Sequence, residues 1–171
     1  MARVPYQEAG SDALNIRRAL GNSPGGQKNT ALAMYIRHDS KLDPRLREMA
    51  ILQVGYSTRC VYEYAHHVEL CRQFGVSDDD IRAVADDTAG KPTKLDPLTK
   101  AVLRAAREST ATCGISDETY AVLKQHLDAE RYVDLVLAIA FYNSTVRILE
   151  GLKVDLEPEY QHYLQEFPLS R

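Results

Sequence analysis

Four side chains of reactive type are spaced so that they can meet on neighbouring helices. Cys60, Glu63 and His67 are separated by three and four residues, a spacing that places them along one side of a helix. Glu48 precedes them, and the residues three, four and seven positions after it are apolar or small, which predicts a buried carboxylate. Because a buried carboxylate requires a partner or a raised pKa, these residues are candidates for acid–base or thiol chemistry.

Each candidate also has a purely structural interpretation. Arg45 lies three residues before Glu48 and could pair with it at the surface, where ion pairs are common and weak. Cys60 could be a small core residue, although a position near a helix start would lower the pKa of its thiol. One of the adjacent histidines His66 and His67 must point away from the other, and we favour His67 because it shares a face with the nearest glutamate.

The positions of prolines, glycines and capping residues predict an all-α protein, since few alternating β-branched stretches occur between them. The expected helices cover about 11–20, 27–38, 44–56, 60–74, a short stretch after Ser77, a stretch after Pro97, residues 130–150, and a short segment of the tail. We expect a single domain over residues 1–171. It is a helical bundle built around hairpins, with a core from about 20 to 155 and a C-terminal tail at 156–171.

Two Asp-Pro pairs, at 43–44 and 96–97, each predict a capped helix start with proline in the first turn. Cys60 and Cys113 follow these pairs at the same distance, which suggests two related hairpins. The second copy has Ala101 where the first has Glu48, so an active site would belong to the first copy only.

Composition and charge argue against several classes of protein. The formal net charge is −3 with scattered Lys and Arg, which is untypical of a nucleic-acid binder. No apolar run approaches the roughly 20 residues of a membrane span, and the N-terminal residues lack the apolar segment of a signal peptide. Three irregularly spaced cysteines favour a reducing compartment over structural disulfides. We therefore expect a cytoplasmic protein that binds neither membranes nor nucleic acid.

Further candidate residues concern substrate binding. Asn143 and Arg147 are four residues apart and interrupt the apolar surface of the last long helix. Arg147 could bind a substrate carboxylate, with an interhelical or intersubunit salt bridge as the alternative. Tyr64 and His66, next to the reactive residues, complete the predicted substrate contacts.

Residues 42–52 (LDPRLREMAIL), 60–67 (CVYEYAHH) and 74–77 (FGVS) resemble the superfamily of carboxymuconolactone decarboxylases and alkyl hydroperoxidase D-like proteins in order and spacing. The similarity covers about residues 20–155, and residues 141–147 are similar to the last core helix of the family. The resemblance implies an all-α fold of the alkyl hydroperoxidase D-like type and a homotrimer or homohexamer.

The alkyl hydroperoxidase D branch carries a glutamate, a Cys-x-x-Cys pair and a histidine. The corresponding positions here are Glu48, Cys60, Glu63 and His67, so Glu63 replaces the second cysteine. The peroxidase chemistry of the family needs one thiolate to attack the peroxide and a second thiol to resolve the sulfenic acid. Cys71 cannot supply that thiol within an intact helix, because eleven residues separate it from Cys60 by roughly 16 Å.

The decarboxylase branch has a Tyr-Glu-aromatic sequence before the histidine, as at 62–64, and uses no metal or organic cofactor. The leading hypothesis is therefore a cofactor-free acid–base enzyme, a decarboxylase or related lyase, acting on a small carboxylated or lactone-like metabolite. In this hypothesis His67 and Glu48 move protons, Glu63 tunes His67 or acts itself, and Arg147 orients a carboxylate.

Three other functions remain open on the sequence. A single-cysteine hydroperoxidase would use Cys60 as the attacking thiol and an external thiol to resolve the product. A metal enzyme would use the Glu-x-x-His spacing found at 63–66 and 159–162, but two further bridging glutamates are not evident, and we predict no metal. A divergent member could also be a non-catalytic oligomeric scaffold.

Overall fold

The computed structural model describes residues 2–7 and 13–169, and every regular element in these ranges is a helix. The α-helices are α1 (Asn15–Leu20), α2 (Pro24–Met34), α3 (Pro44–Thr58), α4 (Val61–Gln73), α5 (Asp78–Thr88), α6 (Pro97–Thr112), α7 (Asp117–Leu123), α8 (Ala129–Leu152) and α9 (Gln161–Glu166). A π-helix, Tyr35–Asp39, follows α2, and a 3₁₀ helix, Pro158–Tyr160, precedes α9. The predicted all-α class is confirmed.

Side-chain caps explain why the main helices begin where they do. Asp43 accepts the backbone N–H of Leu46 at 3.1 Å, and a proline occupies the first position of α3. Asp96 caps α6 in the same way, accepting the N–H of Thr99 at 2.9 Å. Since each cap satisfies an N–H group that the helix leaves free, these starts could be located from sequence.

The beginning of the chain differs from the sequence-based expectation. The first helix begins at Asn15 rather than near Ser11, and Ser11 lies outside the described residues. The second begins at Pro24, three residues earlier than expected, because Ser23 accepts the N–H of Gly26 at 3.0 Å and so caps α2. Two consecutive glycines obscured this start in the sequence.

The segment 35–39 is a π-helix instead of the end of an ordinary α-helix. The N–H of Ser40 bonds to the carbonyl oxygen of Tyr35 at 3.0 Å, five residues back. Buried Asp134 of α8 holds both ends of this segment, because it accepts the Tyr35 hydroxyl at 3.0 Å, the Ser40 hydroxyl at 2.9 Å and the Lys41 N–H at 2.7 Å. The π-helix is thereby fixed against α8.

Helix α3 is the centre of the bundle and packs against α4, α6 and α8. One apolar cluster fills the space between α3, α6 and α8, and a second lies between α3, α4, α5 and the C-terminal tail. Helices α3 and α4 approach closely at Gly55, where an added Cβ would lie 3.1 Å from the backbone of Tyr64. This close packing of the hairpin brings side chains of the two helices within hydrogen-bonding distance.

Helix α8 is long and apolar enough to span a membrane by length and composition alone, unlike any other helix in the described ranges. Its 24 residues include nine buried ones, and it packs on α3 and α6. The sequence analysis did not single it out as a candidate span. Its place in the bundle is that of a core helix.

The two ends of the chain lie against each other. The N–H of Arg3 bonds to the carbonyl oxygen of Leu152 at 2.8 Å, and the N–H of Asn15 bonds to Glu157 Oε1 at 2.6 Å. As a result, described residues before α2 lie against the end of α8 and the tail that follows it.

Candidate active site

A buried group of charged side chains links α3 to α4. His67 Nδ1 lies 2.7 Å from Glu48 Oε2, and His67 Nε2 lies 2.7 Å from Glu63 Oε1. Arg47 Nε donates to Glu48 Oε1 at 2.9 Å. We call these four side chains the His67 cluster. Of the three side chains whose spacing predicted convergence, Glu63 and His67 are in direct contact, whereas Cys60 is not part of the cluster. Glu48 of the preceding helix joins them through His67.

Helix geometry and burial explain this arrangement. Glu63 and His67 are four residues apart and share a face of α4, while Glu48 reaches them from the facing side of α3. The exposed fractions are 1% for Glu48, 3% for His67 and 4% for Glu63. The expectation that Glu48 is buried with a specific partner is therefore confirmed.

Both nitrogens of the His67 ring face carboxylate oxygens, so the geometry is satisfied when both carry protons. Burial would lower the pKa of His67, but attraction by Glu63 and then Glu48 outweighs it and raises the pKa to about 9. Burial would raise the pKa of Glu48, yet His67 and Arg47 together lower it. At neutral pH the cluster thus contains an imidazolium ion between two carboxylates.

Arg47 completes the charge balance of the cluster by binding the second oxygen of Glu48. Its Nη1 donates to the carbonyl oxygen of Arg37 at 3.0 Å, and its guanidinium lies 4.7 Å from the centre of the Phe74 ring. Two cations and two anions therefore share the cluster. Buried charges are tolerated when they are paired and hydrogen-bonded in this way.

A cavity of about 270 Å³ lies next to the cluster. Glu63 and His67 form part of its wall, whereas Glu48 and Arg47 lie behind them and do not line it. Apolar residues of α1 and α2 face aromatic residues of α4, α8 and the tail across this space. The volume and the mixed lining suit a small organic molecule.

Comparison with known proteins agrees with the family resemblance of the sequence. The model of the carboxymuconolactone decarboxylase family matches residues 26–108, which contain the whole His67 cluster. The match covers just under half of the chain and supports the resemblance to the carboxymuconolactone decarboxylase and alkyl hydroperoxidase D-like superfamily. No curated protein sequence matches it.

Solved structures share the fold at low sequence identity. The debrominase Bmp8, in the structure of a cysteine-to-alanine variant with 2,3,4-tribromopyrrole, has a TM-score of 0.80 and 14% identity, covering 98% of each chain. A peroxidase-related protein from Ralstonia eutropha, described as an alkylhydroperoxidase AhpD core, has a TM-score of 0.70 and 20% identity over 88% of this chain and 79% of its own. A peroxidase-related protein from a Silicibacter species has a TM-score of 0.73 and 20% identity over 85% and 77%. The predicted fold type is confirmed.

Cys60 departs from what a peroxidase of this superfamily requires. It is the N-cap residue of α4, as expected from its predicted position near the helix start, but it is fully buried and does not line the cavity. Burial raises the pKa of its thiol to about 12, and the backbone N–H groups of Glu63 and Tyr62 lower it by less. The helix start does lower the pKa of the Cys60 thiol, as predicted, but burial raises it by more, so the thiol stays protonated.

Three of the four predicted substrate-binding residues lie away from the cavity wall. Tyr64 points to the second apolar cluster, where its ring packs against Tyr56 at 6.0 Å. Asn143 donates to Thr110 Oγ1 at 3.0 Å, and Arg147 lies on the exposed face of α8 and bonds to Asn143. The structure does not bring these residues to the cavity, because each lies on a different helix face from the residues that do line it.

His66 reaches the cavity wall but belongs to a separate set of contacts. Its Nε2 lies 2.8 Å from Glu157 Oε2, and Glu157 Oε1 accepts the Tyr62 hydroxyl at 3.0 Å and the Asn15 N–H. The Tyr160 ring stacks on His66 at 3.7 Å. Burial would raise the pKa of Glu157, but hydrogen bonds from His66 and Asn15 lower it to about 2. We call His66, Glu157, Tyr62 and the Asn15 amide the His66 cluster.

Two partners in these clusters were missed by the sequence analysis. The predicted surface partner of Glu48 was Arg45, but Arg45 bonds to Asp80 at 3.0 Å instead, and Arg47 takes its place. Neighbouring residues of a helix do not usually face each other, so the sequence did not indicate a contact between Arg47 and Glu48. Glu157 lies 91 residues from His66, and no local pattern indicates such a contact.

The two Glu-x-x-His pairs do not act as units. Glu63 contacts His67 rather than His66, and His162 contacts the backbone oxygen of Glu159 at 2.7 Å. Among the residues that the structure describes, no group of three or more His, Cys, Asp or Glu side chains is arranged to hold a metal ion. The spacing of these pairs is therefore no evidence for a di-iron site.

Proposed function

We propose that this protein is a cofactor-free acid–base enzyme, a decarboxylase or related lyase, that acts on a small carboxylated or lactone-like molecule in the cavity. The observation that carries the proposal is the Glu63 carboxylate on the cavity wall, held by the buried pair of His67 and Glu48. In this superfamily the corresponding position is the second cysteine of the peroxidase branch. Glu63 is an acid–base group, and it stands where the peroxidase branch has a redox-active thiol.

The contacts supply a path for one proton. His67 Nε2 can pass its proton to Glu63 Oε1 across 2.7 Å, and Glu63 can then deliver it to substrate. When a carboxylate on a conjugated substrate leaves as carbon dioxide, the electrons of the broken C–C bond move into the carbonyl system and form an enolate. Glu63 protonates a carbon of that enolate, and His67 regains its proton from solvent. Glu48 and Arg47 are positioning residues, because they hold His67 and do not line the cavity.

A ring-shaped substrate agrees with the dimensions of the cavity and with the family. Its volume of about 270 Å³ is near the lower end for ligand sites, and rings of Tyr62, Tyr142 and Tyr160 line it. Bmp8, which shares the fold, has been captured with a small substituted ring. The family name likewise indicates a carboxylated lactone.

The competing hypothesis is a single-cysteine hydroperoxidase, which the peroxidase-related proteins of similar fold support. It requires peroxide to reach a Cys60 thiolate. The buried thiol with its raised pKa is unfavourable for that step. A scaffold without activity is the third hypothesis.

The decisive experiment is a turnover assay with a panel of conjugated carboxylated lactones and β-keto acids. Carbon dioxide release is measured, and deuterium incorporation at carbon is followed by NMR in heavy water. We expect Glu63→Gln to lower kcat by about 10²- to 10⁴-fold, the usual contribution of a positioned acid or base. Glu118→Gln, an exposed glutamate on α7, is the matched control and is expected to behave as wild type.

A peroxide assay with an external thiol separates the hypotheses. Peroxide consumption that is abolished by Cys60→Ser and kept by Glu63→Gln would show that the acid–base proposal is wrong and the peroxidase hypothesis right. Inactivity of the wild-type protein in both assays would favour the scaffold.

We also propose that the protein is a cytoplasmic homotrimer or homohexamer. Val133 and Val136 of α8 are exposed by 61% and 38%, and Met34 and Tyr35 add further exposed apolar surface. Subunit contacts would bury such surface. Light scattering at micromolar concentration tests this assembly, and a monomer would contradict it.

A further inference from the structure

Arg37 is a basic residue of the cavity wall to which the acid–base proposal assigns no role. It lies in the π-helix and lines the cavity together with Tyr142, Glu63 and His67. Its side chain interacts with the Tyr142 hydroxyl, and the Tyr142 ring packs edge-on against His67 at 4.9 Å. One tyrosine ring therefore lies between the Arg37 guanidinium and the proton-transferring group.

The segment that carries Arg37 is held rigidly in relation to the His67 cluster. The backbone oxygen of Arg37 accepts Arg47 Nη1 at 3.0 Å, and Arg47 in turn bonds to Glu48. Asp134 fixes the two ends of the same π-helix. These contacts hold the backbone of residue 37, and its side chain has the Tyr142 hydroxyl as its neighbour in the cavity.

The charges around the cavity leave Arg37 available to an anion. Glu63 is paired with His67, and Glu69, the other acidic residue of the wall, interacts with Tyr160. In the described ranges, no carboxylate lies within ion-pairing distance of the Arg37 guanidinium. Burial, and then Glu63 and Glu48, raise the pKa of Tyr142, and Arg37 opposes this rise, so the nearby hydroxyl stays neutral.

We propose that Arg37 binds the acid group of the substrate and makes the cavity selective for small organic anions over neutral molecules of the same shape. This inference rests on the proposed function, because it places the acid group beside Tyr142 with the reacting carbon facing Glu63. A guanidinium group can form two parallel hydrogen bonds with a carboxylate. Arg17 also lines the cavity but is exposed, so water weakens its attraction for an anion.

The test is a binding measurement that needs no turnover. Cyclopentanecarboxylate, an unreactive five-membered ring with one acid group, is titrated into the protein by calorimetry or NMR and compared with its neutral amide. We expect the wild type to bind the carboxylate more tightly, and Arg37→Gln to weaken carboxylate binding by about tenfold or more while binding of the amide is unchanged. Arg37→Lys should retain part of the preference for the carboxylate over the amide, since lysine keeps the positive charge but cannot form two parallel hydrogen bonds.

The matched control is Arg104→Gln, which removes an exposed arginine of α6 that does not line the cavity, and which should leave both affinities unchanged. Equal loss of carboxylate and amide binding in Arg37→Gln would overturn the inference, because a structural role produces that result. It would also be overturned if the wild type failed to bind the carboxylate or bound the amide as well. Glu63→Gln should still bind the carboxylate, so a failure of the catalytic proposal is distinguishable from a failure of this one.

Discussion

The adjacent histidines of α4, His66 and His67, form two clusters that have similar hydrogen-bond distances but connect different parts of the molecule. His67 lies between two carboxylates inside the bundle, and both of its partners come from the α3–α4 hairpin. His66 has one carboxylate partner, Glu157, which comes from the C-terminal tail and also receives the Asn15 amide. The first cluster joins core helices, whereas the second joins the ends of the chain to the core.

The comparison teaches that a buried histidine–glutamate contact does not by itself indicate chemistry. Both contacts are 2.7 to 2.8 Å long and both histidines line the cavity. His67 differs from His66 in having two carboxylate partners. Glu63 lines the cavity, and Glu48 is also bound by Arg47.

The largest effect is expected from Glu48→Ala. The variant leaves the charges of His67 and Arg47 buried without their shared partner, and breaking a buried ion pair in this way costs about 3 to 5 kcal/mol of unfolding free energy. Urea denaturation with a circular-dichroism signal measures the loss. A loss below about 1 kcal/mol would show that the pair is not buried as described.

The decline of stability on the alkaline side should come from the His67 cluster. His67 has a pKa of about 9 in the folded protein and 6.5 ordinarily, so the folded state binds its proton more tightly. Its contribution, on the order of 3 kcal/mol, is complete below pH 6.5 and is lost as the pH rises through 9. The contribution of Glu48, whose pKa is lowered, is present above its ordinary 4.5 and is lost on acidification.

Denaturation midpoints between pH 6 and 10 test this profile. The decline should persist in Glu157→Ala, which changes only the His66 cluster, and should vanish in His67→Asn. A profile that is flat in the wild type would contradict the imidazolium assignment.

Glu157→Ala should have a smaller and more local effect. It removes the acceptor of three hydrogen bonds, from His66, Tyr62 and the Asn15 amide, and the His66 and Tyr62 side chains keep the cavity beside them. We expect a loss of about 1 to 3 kcal/mol. Hydrogen exchange should rise in the tail and in α1 while α3 stays protected. Uniform loss of protection would mean that the His66 cluster also supports the core.

The smallest effect is expected from Arg147→Gln. Arg147 is exposed and bonds only within its own helix in the described structure, so the change in stability should be within about 0.5 kcal/mol. Binding of cyclopentanecarboxylate should be unaffected. Weakened binding would restore Arg147 as the carboxylate-binding residue and argue against Arg37.

The sequence predicted those parts of the molecule that short-range rules determine. Capping by Asp43 and Asp96 located α3 and α6, and helical spacing joined Glu63 to His67. The burial of Glu48 was predicted because the neighbouring residues on its face of α3 are apolar or small.

The remaining features depend on contacts that spacing does not encode. The π-helix is held by Asp134, almost one hundred residues further along the chain. Helix α8 is apolar on most of its surface, so its pattern did not reveal that Tyr142 faces the cavity and Arg147 faces solvent. The pKa of Cys60 was expected to fall near a helix start, but burial depends on the whole bundle and has the larger effect.

The contact between the two ends of the chain bears on how the protein is made. Asn15 and its partner Glu157 are separated by 142 positions, and Leu14, Ile16 and Tyr160 from these ends line the cavity. During synthesis on the ribosome, the hairpin of α3 and α4 can form long before residue 157 has been translated. The part of the cavity wall that Tyr160 and the Glu157 contact provide can therefore form only after these tail residues have emerged from the ribosome.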